Sequence, residues 1–453
     1  MHKSVAGIWR ERMIVVISSC CTLLPSFGHT AEPAASARIA SCEWRVCRTG
    51  ATSGFQQLTA LRITDTLGHD GVCVMLRDGC FGKFSAKMEK DAKLQAQATA
   101  ASRSLVGQDA TTPPAIKAIW DQMHAQKVDN DVQTAIDLAL WDLYGRASGK
   151  SVVDLLGKKR EKVATHLATL WPPLYPFDKC KNTHEIVETY VKLARKTKDR
   201  GLRGFKIHAY INGTWNPIAW RPSKPGERGA FPDQDLEIIR AVYGELGNSM
   251  PLMFDPGWQY NLDEAIRVGK VLDTLQFTWY EDPLPEYSAS LVPQWLMLKK
   301  AVKTPLMGPQ EFLDYQARIT WLEAGAADMA RIDVCYGGFT PCLELIRYCE
   351  AHQKQLDLHS MPMNDYMYAC YPVTDDATMP WLELTTSPWF VPVATTFAGS
   401  APAAKTQPWF KRVPKVPVDA QGYAHFNLDI PGLGPEADWD WIAAHRKDPV
   451  AAK

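Results

Sequence analysis

Apolar and polar positions change rhythm twice along this chain. Over 41–86 the apolar runs are short and strand-like. Val72-Cys73-Val74-Met75-Leu76 followed by Arg77-Asp78-Gly79 predicts a strand entering a turn, with a second short strand behind it. Over 87–157 the period lengthens to that of helices. Within 131–144, Ile136, Leu140, Leu143 and Tyr144 fall at i, i+4, i+7 and i+8, which predicts an amphipathic helix closed by Gly149. Residues 40–157, reached across a polar Ala/Ser linker, are therefore expected to form a small α+β domain.

From 163 onward the texture is one of alternation. Apolar runs at 163–169, 204–208, 251–255, 277–281, 305–308, 329–333, 356–359 and 381–384 each end in or near polar residues and lead into a helical stretch. Eight such runs predict an α/β fold, a (β/α)8 barrel of the TIM type over 163–400. The rival is a doubly wound open sheet; no Gly-x-Gly-x-x-Gly turn opens any unit, and eight is the number that closes. The insert 211–232, which carries Trp215 and Trp220, interrupts a strand-to-helix connection where barrels place substrate-covering loops. The tail, 401–453, is irregular.

Composition narrows the function classes. Of 453 residues, 46% are hydrophobic and 22% charged, with Lys+Arg 50 balancing Asp+Glu 50. That excludes a disordered chain and gives no cationic footprint for nucleic acid. No uninterrupted apolar run approaches the roughly 20 residues of a membrane-spanning helix, so small molecules are the expected partners. At the N-terminus, Lys3, Arg10 and Arg12 precede the apolar stretch 13–24, then Pro25 and small residues. This is the order of a secretory signal and makes 1–31 a leader, cleaved for export to the periplasm or simply disordered in a cytoplasmic protein. Eleven cysteines become nine once Cys20 and Cys21 leave with it, an odd number. No Cys-x-x-Cys pair points to structural zinc, and Cys335, Cys342 and Cys349 are expected as small core hydrophobes. Free core thiols suit a reducing compartment and stand against the export reading.

Barrel enzymes carry their chemistry at the C-terminal ends of strands. The polar residues there are Lys206 and His208, Asp255, Glu281, Gln310 or Glu311, Asp333, His359 and Glu383. Singly, each carboxylate is an ordinary loop anion or helix cap. Asp255, Glu281 and Glu311 on successive strands would repel one another unless a cation lay between them, and Mg2+ suits hard oxygen ligands. Asp333 and His359 end neighbouring strands, an arrangement in which the carboxylate fixes the tautomer of an imidazole base. Lys206 and His208, two apart on one strand, share a face and form a second cationic or basic pair. Glu383 on the eighth strand either donates a hydrogen bond as a neutral acid or orients a neighbour.

Several motifs in order carry a resemblance to a known family. Ala139-Leu140-Trp141-Asp142-Leu143-Tyr144-Gly145-Arg146 with Gly149-Lys150-Ser151-Val152 and Leu155-Leu156-Gly157 is similar to the final capping-domain helix and linker of the enolase superfamily, in its mandelate racemase/muconate lactonizing branch. Tyr280-Glu281-Asp282-Pro283-Leu284 resembles its second metal-ligand motif, and Pro431-Gly432-Leu433-Gly434 with Asp438-Trp439 its closing segment. The resemblance implies a barrel with an N-terminal capping domain to which 401–453 returns. It also implies Mg2+ on Asp255 and Glu281, an Asp333–His359 acid/base dyad, and Glu383 as the electrophilic carboxyl near the substrate carboxylate. Lys206 matches the first lysine of the family's Lys-x-Lys pair, while His208 stands where the second lysine is expected. Gly308-Pro309-Gln310-Glu311 departs from the family's Gly-Pro-Glu or Gly-Glu: Glu311 takes the third ligand place through a one-residue insertion, or Gln310 ligates as a neutral amide.

The implied chemistry is removal of the proton α to a carboxylate, stabilised by a divalent cation. Two imidazoles suit dehydration of a sugar acid to a 2-keto-3-deoxy acid, one abstracting the proton and the other protonating the departing hydroxyl. A racemase or epimerase of a 2-hydroxy acid, or a catalytically impaired sugar-acid-binding homologue, are the competing readings. The expected partners are a small carboxylate substrate and further copies of the same chain, with no nucleic acid and no membrane span.

Overall fold

Buried on both sides, parallel strands need near-continuous apolar runs, and the eight runs from 163 onward meet that demand. The computed structural model describes residues 37–49, 57–76, 78–79, 82–172, 176–209, 231–310, 314–360, 363–385 and 407–446. The leader 1–31, nearly all of the 211–232 insert, Glu311 and the stretch after the eighth barrel strand lie outside the described residues.

Three antiparallel strands open the fold: β1 (Ile39–Arg48), β2 (Gln57–Asp65) and β3 (Asp70–Met75), with a small hairpin of β4 (Asp78–Gly79) and β5 (Gly82–Lys83) after them. Among the described residues five helices follow before the barrel, of which Ala92–Leu105 is capped by Asp91 and Pro113–Ala125 by Thr112. The barrel strands are β6 (Lys162–Ala168), β7 (Gly204–His208), β8 (Leu252–Asp255), β9 (Trp279–Glu281), β10 (Leu306–Met307), β11 (Met329–Ile332), β12 (Gln355–Leu358) and β13 (Trp381–Thr385). They pair in the order β12-β11-β10-β9-β8-β7-β6-β13. The two ends meet where Leu356 N donates to Thr378 O at 2.9 Å and Ser360 N to the Glu383 carboxylate at 3.2 Å. Outward residues such as Phe205, Ile207, Phe254, Ile332 and Leu358 are buried beneath the surrounding helices. Inward, Met253, Trp279, Met307 and Met329, with Trp381 against them, make an apolar floor.

The helix Asn130–Ala147 is not amphipathic as its spacing suggests. It is buried on nearly every side, Gln133, Thr134, Asp137 and Asp142 included. The reason is its position: β2 and β3 pack on one side and the barrel helix Phe339–Ala351 on the other. Polar residues on the barrel side find partners there. Asn130 Nδ2 donates to Cys335 O at 2.6 Å, Trp141 Nε1 to Thr340 Oγ1 at 2.9 Å, and Thr340 N to Asp137 at 2.9 Å. From the preceding helix, Trp120 Nε1 donates to Gly337 O at 2.8 Å. The N-terminal domain thus grips the loop that leaves β11 immediately after Asp333.

The C-terminal segment touches both parts. β14 (Phe410–Arg412) pairs with β16 (Glu436–Ala437), and β15 (Tyr423–His425) runs antiparallel along the first half of β6. Trp409 and Ile442 join Cys47, Leu58, Val72 and Val74 in a separate apolar cluster on the open face of the N-terminal sheet. Cys335, Cys342 and Cys349 are buried, as their apolar surroundings imply. Among the described residues no helix is long and apolar enough to cross a membrane.

Candidate active site

Strand parity decides which side chains enter the barrel. On β7, Phe205 and Ile207 face the helices, so Lys206 and His208 point inward. Lys206 Nζ lies 3.0 Å from both oxygens of Glu281, 2.5 Å from Glu383 Oε2 and 3.9 Å from Asp255 Oδ2. His208 Nε2 lies 3.0 Å from Asp255 Oδ2, its ring 4.0 Å from that of Trp171 between centroids. The two stand at different depths: Lys206 is sunk among carboxylates, while His208 stands one layer higher at the mouth. One place beyond β11 and β12, Asp333 Oδ2 and His359 Nδ1 are 3.0 Å apart. Asp333 is held by Cys335 N, which donates to its Oδ1 at 2.6 Å.

Asp255 and Glu281 converge as expected, and Asp282 joins them. Ligand oxygens of the three lie within 4.8 Å of one another, all buried. Among the described residues neither oxygen of Asp282 accepts from an N–H, and its close polar neighbour is the Glu286 carboxyl. Burial, then the carboxylates of Glu286, Asp255 and Glu281, push its pKa well above the usual range. Asp282 also holds a φ of 41°, a left-handed conformation uncommon for a non-glycine residue. Burial would raise Asp255 too, but His208, with Lys206 and Arg331 behind it, draws its pKa down to about 2. A set of hard oxygens without sulfur, with both oxygens of Asp282 lacking an N–H donor, fits a divalent cation of the Mg2+ kind.

Beneath this set lies a layer of charge anchored by Arg331, which is fully buried. Its Nε lies 2.9 Å from Glu281 Oε1 and donates to Gln310 Oε1 at 3.1 Å. One terminal nitrogen pairs with Asp357 and the other lies 2.5 Å from Glu383 Oε2. Burial opposes ionisation of Glu383, yet Arg331 and Lys206 hold its pKa well below the usual carboxylate range. The same two cations favour the ionised form of Glu383 in this arrangement, in which it orients its neighbours. Glu281 feels the same two cations, but burial prevails and its pKa is raised.

Arg331, Asp357 and Asp282 escape a reading confined to strand ends. Arg331 precedes Asp333 by two and Asp357 precedes His359 by two, so parity places each on the same inward face, one layer down. Asp282 gave no such signal, since its neighbour Glu281 already claims the inward direction; the turn at Asp282 redirects it. Glu311 lies outside the described residues. Gln310 is buried, and its side-chain oxygen is engaged by Arg331.

Comparison with known proteins gives the family and the fold. The profile of the mandelate racemase/muconate lactonizing enzyme N-terminal domain matches residues 44–157, and that of the enolase C-terminal domain-like family matches residues 189–441. L-talarate/galactarate dehydratase of Salmonella typhimurium is 24% identical over 301 residues, 64% of this chain and 65% of that relative, so the match spans less than two thirds of its length. Among solved structures, D-glucarate dehydratase from Agrobacterium tumefaciens, complexed with magnesium, gives a TM-score of 0.67 at 24% identity, covering 91% of this chain and 99% of the other. L-talarate dehydratase from Polaromonas sp. JS666, complexed with Mg and L-glucarate, gives 0.63 at 19% identity over 91% and 98%. At these identities the structural likeness speaks for the fold.

Proposed function

Because this chain belongs to the enolase superfamily, in its mandelate racemase/muconate lactonizing branch, we propose that it is an Mg2+-dependent lyase. It removes the proton α to the carboxylate of a sugar acid and dehydrates that acid to a 2-keto-3-deoxy product. The observation that carries the reading is the pair of imidazoles at the barrel mouth. His359 is backed by Asp333 at 3.0 Å, His208 lies on another strand, and the acidic cluster stands between their strands in the sheet order. The dehydratases among its relatives and the magnesium in their structures support it.

Asp255 and Glu281 would hold Mg2+, with Glu311 as third ligand; when bound, the cation stabilises negative charge developing on the substrate carboxylate. The remaining work falls to side chains. One imidazole takes the proton from C2, leaving its electron pair in the carboxylate-conjugated system. That pair then expels the C3 hydroxyl, which leaves as water with a proton from the other imidazole. The resulting enol ketonises. Asp333 accepts from His359 Nδ1 and so leaves Nε2 facing the mouth to exchange the proton. Lys206, fixed between Glu281 and Glu383, places a cation beside the carboxylate end of the substrate.

The test is turnover. The Mg2+-loaded protein, incubated with aldonic and aldaric acids, should generate a 2-keto acid from at least one. Deuterium exchange at the α-carbon in heavy water without keto product would instead mark a racemase or epimerase. Ligand binding without exchange would mark a non-catalytic sugar-acid-binding homologue.

A further inference from the structure

Among the described residues two clusters of ligating side chains lie inside the barrel. The lower one, His166 with Asp357 and Glu383, already has a resident cation, because Arg331 pairs with both of its carboxylates. The informative feature is Arg331 itself. One guanidinium reaches a candidate metal ligand, Glu281, the amide of Gln310, which is the alternative to Glu311 as third ligand, and the catalytic-site carboxylate Glu383. Its own backbone is fixed as well: Arg318 Nε donates to Arg331 O at 2.7 Å.

We propose that Arg331 is a positioning residue for the cation site, a reading that rests on the function proposed above. Its planar fork holds Glu281 from behind. It also turns the Gln310 oxygen away from the cation, so that Gln310 is not a ligand. The chemistry favours this assignment. A guanidinium presents several donors in a fixed plane and here reaches three carboxylates and an amide in defined directions, whereas an ammonium is a compact point charge without that fork. Gln310 has a single side-chain oxygen, and Arg331 engages it. Its backbone is committed too, the N–H donating to Glu286 Oε1 at 2.7 Å and the carbonyl accepting from Arg318. Partners behind metal ligands commonly set metal affinity by about 10- to 100-fold.

Calorimetric titration of the whole protein with MgCl2 tests this without reference to turnover. Arg331→Lys keeps the buried charge and loses the fork, and it should weaken Mg2+ binding about tenfold or more. Asp357→Asn, also bonded to Arg331 but not itself among the candidate ligands, should lower thermal stability while leaving Mg2+ affinity within about twofold. Gln310→Ala should likewise leave that affinity within about twofold. Unchanged binding in Arg331→Lys overturns the proposal while the functional reading stands, as does a tenfold loss in Gln310→Ala. Equal losses in Arg331→Lys and Asp357→Asn would reduce Arg331 to a generic stabiliser of the layer. Should Arg331→Lys fail to fold, the Gln310→Ala titration decides. A wild-type protein that binds no Mg2+ removes both the function and this inference.

Discussion

His359 Nδ1 lies 3.0 Å from Asp333 Oδ2, each residue one place beyond the paired strand ends Leu358 and Ile332. Neither side chain owes this to its own sequence neighbourhood; it follows from parallel registration of β11 and β12. The carboxylate then selects one tautomer and leaves the far nitrogen for the substrate. Asp333→Asn should leave the fold and Mg2+ affinity intact and lower turnover by about 100-fold or more. Steady-state rates beside a calorimetric Mg2+ titration would check it, and a variant of undiminished rate would remove the dyad from the mechanism.

The two imidazoles should separate by experiment. If one abstracts the proton and the other assists departure of the hydroxyl, His359→Asn and His208→Asn will not fail alike. The variant lacking the base should lose both α-deuterium exchange and keto-acid formation. The variant lacking the acid should retain exchange in heavy water while losing product. Identical behaviour of the two would contradict the division of labour.

Chelation provides a third check. EDTA should abolish α-proton exchange and MgCl2 restore it. Asp255→Asn, which removes one negative oxygen from the acidic set, should raise the Mg2+ concentration needed for half-activity by about tenfold or more. Activity insensitive to EDTA would refute the role given to the cluster.

The join between the N-terminal domain and the closing segment is tested at Gly145. A Cβ there would come within 2.6 Å of the Gly432 backbone. Beside it, Asp142 accepts from Val72 N at 2.8 Å and from Leu433 N at 3.1 Å, tying helix, sheet and closing segment together. Alanine normally improves a helix interior by up to about 1 kcal/mol over glycine. Here the clash should reverse the sign, with Gly145→Ala destabilising by about 1–3 kcal/mol. Denaturant melts and faster proteolysis of the C-terminal segment are the readouts.

A pH effect follows from Asp365. Burial pushes its carboxyl up to about 7, and its Oδ1 has no hydrogen-bond partner among the described residues. In the unfolded chain it titrates near roughly 3.9. Between those values the native state keeps a proton that the unfolded state has released, so this group lowers stability as pH rises from about 4 to about 7, by on the order of 1.4 kcal/mol per pH unit. Asp365→Asn should therefore melt a few degrees higher than wild type at pH 8 and alike at pH 4. Asp137, also pushed up to about 7 but anchored by Thr340, keeps its own share of the slope. Equal melting temperatures at pH 8 would contradict the assignment.

Much of this was readable before folding. Runs of apolar residues with polar ends specified eight strands, and Asp255, Glu281, Asp333 and His359 stood out because chemistry in a parallel barrel gathers at strand ends. Strand parity alone placed Lys206 and His208 inward. The same parity pointed to Arg331 and Asp357, but nothing local says that a residue two places below a strand end meets partners from three other strands. The helix Asn130–Ala147 was misread for a related reason. Its polar residues are those of an exposed face by pattern, and only the barrel helix across from it, with Thr340 and the Cys335 carbonyl waiting, makes them interior.

The amino-acid order by itself determined the succession of elements, the side of each strand that faces inward and the family motifs, because those depend on periods of two and 3.6 residues along one segment. Tertiary structure decided which charges share a layer. It set Glu383 between Lys206 and Arg331, turned Asp282 toward Asp255, and brought the Gln310 oxygen to Arg331. Those outcomes depend on distances across a closed sheet and on burial, where one guanidinium or one missing partner outweighs any local preference.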